Sequence, residues 1–125
     1  MFFSRPAGHK YVDRGDIDAY DFEVGDLTCD WTWRELDFSA IVPANAVAVH
    51  LQVIVRDDSA ISNLQLRKKG FSNEINIGRV TTQNNLASLY AHIIQPCDAD
   101  RIIEYRVTNT TWNTIALTVF GWFVK

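Results

Sequence analysis

From Val47 to Val55 the hydrophobic positions alternate without a break. Val47, Val49, Leu51, Val53 and Val55 share one parity, and Ala46, Ala48, His50, Gln52 and Ile54 share the other. A period of two marks a strand with one face turned to a core. Just upstream, Pro43 lacks an amide donor and biases Val42 toward extended geometry, so the pattern predicts a strand over Ala46–Arg56 with a firm start.

The same reading along the chain predicts seven further strands: Ile17–Val24, Leu27–Asp37, a segment around Leu64 and Leu66 that runs up to Gly70, Glu74–Thr82, Leu86–Ile94, Arg101–Thr108 and Thr114–Val124. Turn chemistry separates them at Gly25-Asp26, Asp57-Asp58-Ser59, Gln83-Asn84-Asn85, Gln95 to Asp100 and Asn109 to Asn113. The second segment is irregular. Cys29, Trp31 and Trp33 lie on one parity and Leu36 and Phe38 on the other, so a bulge or break is expected near Arg34-Glu35. The last strand is apolar on both parities, which predicts a central or covered strand. About eight short strands without an amphipathic helix make the expected fold an all-β, antiparallel two-sheet sandwich, jelly-roll-like in path.

A length of 125 residues fits a single domain over the whole chain, able to bury roughly two-thirds of its unfolded surface. Residues 1–15 carry no strand pattern and are expected to form a flexible N-terminal arm. Neither a signal-peptide apolar core nor a run of about 20 apolar residues is present, so a soluble protein made without export, cytoplasmic or virion-associated, is expected. Cys29 and Cys97 are expected as two free thiols, although one disulfide is compatible with them. The net charge of −3 is uneven, with seven acidic residues against Arg14 alone between Asp13 and Asp30. That segment repels nucleic acid, and Arg67-Lys68-Lys69 reads as a solvated strand end rather than a phosphate reader.

One stretch carries a resemblance. Trp33, the run from Leu36 to Val49, Leu64-Gln65-Leu66-Arg67-Lys68-Lys69-Gly70 and the closing Thr118-Val119-Phe120-Gly121-Trp122 resemble small β-sandwich modules of phage tail and other virion-appendage proteins, and of bacterial proteins related to them. It spans roughly Trp31 to Val124. The resemblance implies a jelly-roll-like fold and an oligomeric habit, and it transfers no catalytic residue.

Candidate chemistry is sparse. His9, His50 and His92 lack the close His-x-His pair of a cupin metal centre, leaving only a meeting of His50 and His92 with Glu104 across strands as an enzymatic option. Ser59, Ser62, Ser72 and Ser88 sit in no nucleophile elbow. No cofactor is expected. Asp16, Asp18 and Asp21 form the one calcium candidate, although their order does not match an EF-hand loop. Among the aromatics, Trp112 in its polar turn is the expected exposed ring for ligand stacking, followed by Trp31 and Trp33. Phe120, Trp122 and Val124 share a parity in the last strand and are the candidate oligomer interface.

These readings converge on a non-enzymatic structural or binding module that works through homo-oligomeric assembly, as a dimer or trimer. Carbohydrate binding by a lectin-like sandwich is the second reading, and a metal-dependent cupin-like enzyme the third. Nucleic acid and membrane are not expected partners. An accessible Trp112 or Trp31 beside hydrogen-bonding side chains would favour the glycan.

Overall fold

The computed structural model describes residues 8–83 and 86–125. Among these residues nine strands form two antiparallel sheets: β1 (Lys10–Asp13), β2 (Phe22–Glu23), β3 (Arg34–Asp37), β4 (Ala46–Arg56), β5 (Asn63–Lys68), β6 (Gly78–Thr81), β7 (Leu89–Pro96), β8 (Ile102–Val107) and β9 (Thr114–Val124). The first sheet runs β1-β9-β4-β7, with β2 also on β9, and the second runs β3-β8-β5-β6. The chain behaves as one long hairpin rolled up. From the tip outward, β5 pairs with β6, β4 with β7, β3 with β8, and β1 and β2 with β9; rolling then adds the pairs β4–β9 and β5–β8. This is a jelly-roll-like path, the eight-strand solution expected from the strand count.

The core lies between the sheets. Val49, Leu51, Val53 and Val55 of β4 are fully buried, as are Leu64 and Leu66 of β5 and Ile103 and Val107 of β8. Both long strands, β4 and β9, occupy the residues that the alternation predicts. Val47 departs from the pattern. A register shift between Ala46 and Ala48 puts Ala46 into the core instead and leaves Val47 partly exposed.

Elsewhere the predicted strands are trimmed, and one was not foreseen. Of Ile17–Val24 only Phe22–Glu23 pairs, and Glu74–Thr82 opens with a 3-10 turn at Glu74–Asn76 before β6 begins. Of Leu27–Asp37 only Arg34–Asp37 is a strand; residues 27–33 are irregular and include Trp31 at a left-handed φ of 59°, and no bulge falls at Arg34-Glu35, where β3 pairs regularly with β8. Within the expected flexible arm, Lys10–Asp13 is a strand paired with Gly121–Val124. The rest of that expectation, over residues 1–7, and the turn residues Asn84 and Asn85 lie outside the described residues.

A bulge in β9 shapes one face of the sandwich. Val119 pairs with Leu51 and Gly121 with His50, so Phe120 is an extra residue without a partner on β4. At the other edge of β9 the ladder is interrupted between β1 and β2, and side chains fill the gap. The Val119 amide donates to Asp21 Oδ2 at 2.8 Å, and Arg14 Nη1 donates to the Val119 carbonyl at 3.0 Å. Arg14 and Asp21 are themselves joined by two hydrogen bonds of 2.6 and 3.0 Å. An ion pair thus does the work of one strand residue, satisfying both backbone groups of Val119.

Candidate functional site

The outer face of the β1-β9-β4-β7 sheet carries a connected row of rings. Tyr11 Oη lies 3.0 Å from His50 Nδ1, and His50 Nε2 lies 2.9 Å from His92 Nδ1. In the self-consistent neutral arrangement the phenol donates to His50 Nδ1, leaving Nε2–H to donate to His92. Phe120 stands edge-on to both imidazoles, at 5.6 Å from His50 and 5.2 Å from His92 between ring centres. The bulge presents this ring to that face. Gly121 permits the row to close: a methyl group there would lie 2.5 Å from Tyr11 Cζ and from the Val12 carbonyl, so Tyr11 crosses to His50 only above a residue without a side chain. Burial, and then the neighbouring His92, lower the His50 pKa below the ordinary imidazole value; burial and then Asp13 raise that of the Tyr11 phenol.

This row continues to an edge strand, β7, that ends at Pro96 and lacks the charges that usually guard an edge. Sheet edges are commonly guarded by charge. Strand β1 carries Lys10 and Asp13, β3 carries Arg34, Glu35 and Asp37, and β6 carries Arg79, whereas the eight residues of β7 include no Asp, Glu, Lys or Arg. Among the described residues β7 pairs only with β4. Its outward side chains are Tyr90, 61% exposed, then His92, then Ile94, 51% exposed.

The outer face of the other sheet is of opposite character. Arg106 stacks between Trp31 and Trp33, its guanidinium carbon 4.2 and 4.5 Å from the two ring centres, and Arg67 lies 3.9 Å from the Trp33 centre. Arg67 is paired with Glu104 at 2.7 Å, Arg106 with Glu74 at 3.2 Å and Lys69 with Glu35 at 3.0 Å. Trp31 is 42% exposed, its amide donates to the Val107 carbonyl, and Asp30 beside it is paired with Arg34. This exposed ring thus has one face stacked on Arg106 and the Asp30–Arg34 pair beside it in sequence.

Several predicted site residues lie elsewhere than expected. Trp112 is buried, 5% exposed, and its indole Nε1 donates to the Thr108 carbonyl at 3.1 Å, so it closes one end of the core and has no free face for stacking. Phe120, Trp122 and Val124 do not share a face, because the bulge reverses parity: Trp122 and Val124 pack on the core, and Phe120 points to the imidazoles. Asp21 is committed to Arg14 and Val119, away from any joint site with the exposed Asp16 and Asp18. Among the described residues no group of three or more His, Cys, Asp or Glu is placed to hold a metal ion. His50 and His92 do meet, but Glu104 is on the opposite sheet with Arg67, which removes the carboxylate from the cupin-like arrangement. Cys29 and Cys97 are free, and burial, reinforced by Asp30 and Asp98 respectively, raises both thiol pKa values.

No helix among the described residues is long and apolar enough to cross a membrane. Comparison with protein-family models, with curated proteins and with solved structures finds no match to this chain.

Proposed function

We propose that this protein is a non-enzymatic structural module that works by associating with copies of itself through β7 and the outer face beside it. The contrast between the edges carries this reading: among the described edge strands β7 is the long one without Asp, Glu, Lys or Arg, and it carries exposed Tyr90 and Ile94. An unguarded edge of this kind is a template for strand addition. A strand that pairs antiparallel with its own copy closes a two-fold dimer and leaves no further edge at that position, so the association ends at a defined size. The resemblance to virion-appendage modules, which are assembled from repeated subunits, agrees with this reading.

The test is to place a charge on the edge. Ile94→Lys keeps an exposed position exposed, so it leaves the unfolding midpoint close to that of the parent chain and converts the dimer to monomer in light scattering. A parent chain and an Ile94→Lys variant of the same size would contradict the proposal.

A second reading, carbohydrate binding, is favoured by the exposure of Trp31 among Asp30, Arg34 and Arg106. Stacking of a sugar ring on Trp31 would change its fluorescence, and Trp31→Ala would abolish that response. A glycan that shifts the parent and Trp31→Ala alike would count against it.

A further inference from the structure

We propose that His50 and His92 form a two-imidazole site for a borderline divalent transition cation, with Cu2+ preferred over Ni2+ and Zn2+. Two ring nitrogens, His50 Nε2 and His92 Nδ1, converge to 2.9 Å on adjacent strands. Two nitrogens about 2.05 Å from a shared metal lie about 2.9 Å apart at a right angle and about 3.3 Å apart at the tetrahedral angle. The observed spacing therefore matches neighbouring corners of a tetragonal site, the geometry of Cu2+ and Ni2+, and Zn2+ requires the pair to open slightly. Binding would replace the hydrogen bond between the two rings: its proton leaves and each ring turns until both lone pairs meet at the metal.

The surroundings of the pair suit this role. A metal-bound imidazole donates its other ring N–H to a neighbour; with Nε2 turned over to the metal the His50 proton moves to Nδ1, which then donates to Tyr11 Oη, 3.0 Å away. Phe120 limits how far both rings can turn by standing edge-on to each. His92 is exposed on its strand, so solvent reaches the pair and can occupy the remaining corners. The proposal adds a site to this face and does not rest on the association of copies. Metal binding in a monomer and association without metal are separate results.

The test is calorimetric titration of the full chain with Cu2+, and separately with Ni2+ and Zn2+. The parent chain is expected to take up one equivalent of Cu2+, more tightly than the other two ions, and its paramagnetic resonance spectrum should show splitting from two equatorial nitrogens. His92→Gln changes an exposed side chain and should lose that equivalent; His50→Gln, with its fold checked by its unfolding midpoint, should lose it too. His9→Gln should retain it, since His9 lies apart, at a cleft with Cys97 and Lys125. Tyr11→Phe, which removes only the supporting hydrogen bond, should weaken binding by about tenfold. No uptake by the parent chain, or uptake retained at full strength in His92→Gln, would overturn the proposal.

Discussion

Leu51 sits at the centre of the sandwich, fully buried on the parity that the sequence pattern turns inward and paired across from Val119. Truncation there removes buried methyl groups and leaves a cavity that rigid neighbouring strands cannot fill. Leu51→Ala is therefore expected to cost about 2–5 kcal/mol, measured as a lowered midpoint in chemical denaturation. At the surface, Asp37 shows how a single carboxylate couples stability to pH. The Ser39 amide donates to its Oδ1 at 2.8 Å, and this hydrogen bond, followed by the Ser39 hydroxyl, holds the Asp37 pKa below the usual carboxylate value. A group depressed in the folded state binds its proton more readily once unfolded, so its stabilisation is complete above the ordinary carboxylate pKa and is lost as pH falls through the folded one. Asp37→Asn should accordingly lose stability at neutral pH relative to the parent and converge with it in acid. Parallel pH profiles for the two would refute this account.

At the scale of elements, the pair of Arg14 and Asp21 replaces a missing stretch of ladder between β1 and β2. Removing Asp21 leaves the buried Val119 amide without a partner, a cost of about 1–3 kcal/mol. Asp21→Ala should lower the thermal midpoint clearly, whereas Asp16→Ala and Asp18→Ala, at exposed positions, should leave it nearly unchanged. Equal effects from all three would show that the acidic segment acts as a unit, as a calcium loop would. Strands β4 and β9 were legible because each is long and has a buried inward parity, and alternation records burial directly. What alternation could not reveal was the Phe120 bulge. One inserted residue reverses parity, so Trp122 and Val124 turned to the core while Phe120 turned out. Strand β1 was missed for a related reason: in Lys10–Asp13 both faces are largely exposed, leaving no periodicity to detect. Trp112 was misplaced because a polar turn hides its burial; the indole reaches back over four residues to the Thr108 carbonyl. The pairing of His50 with His92 depends on the β4–β7 register, which no local pattern encodes.

Considered as a whole, the molecule has two outer faces that answer to different demands. The β3-β8-β5-β6 face is laced with ion pairs and stacked guanidinium groups, and its edges carry charge. The other face ends at β7 in an uncharged strand with exposed Tyr90 and Ile94. A chain of 125 residues has limited interior in which to hide further apolar surface, and association offers an alternative. The most direct measurement is sedimentation equilibrium of the purified chain from low to high micromolar concentration. A reversible monomer–dimer equilibrium that saturates at two copies is the predicted result; a monomer at every concentration, or assembly that grows without limit, would contradict self-association through β7.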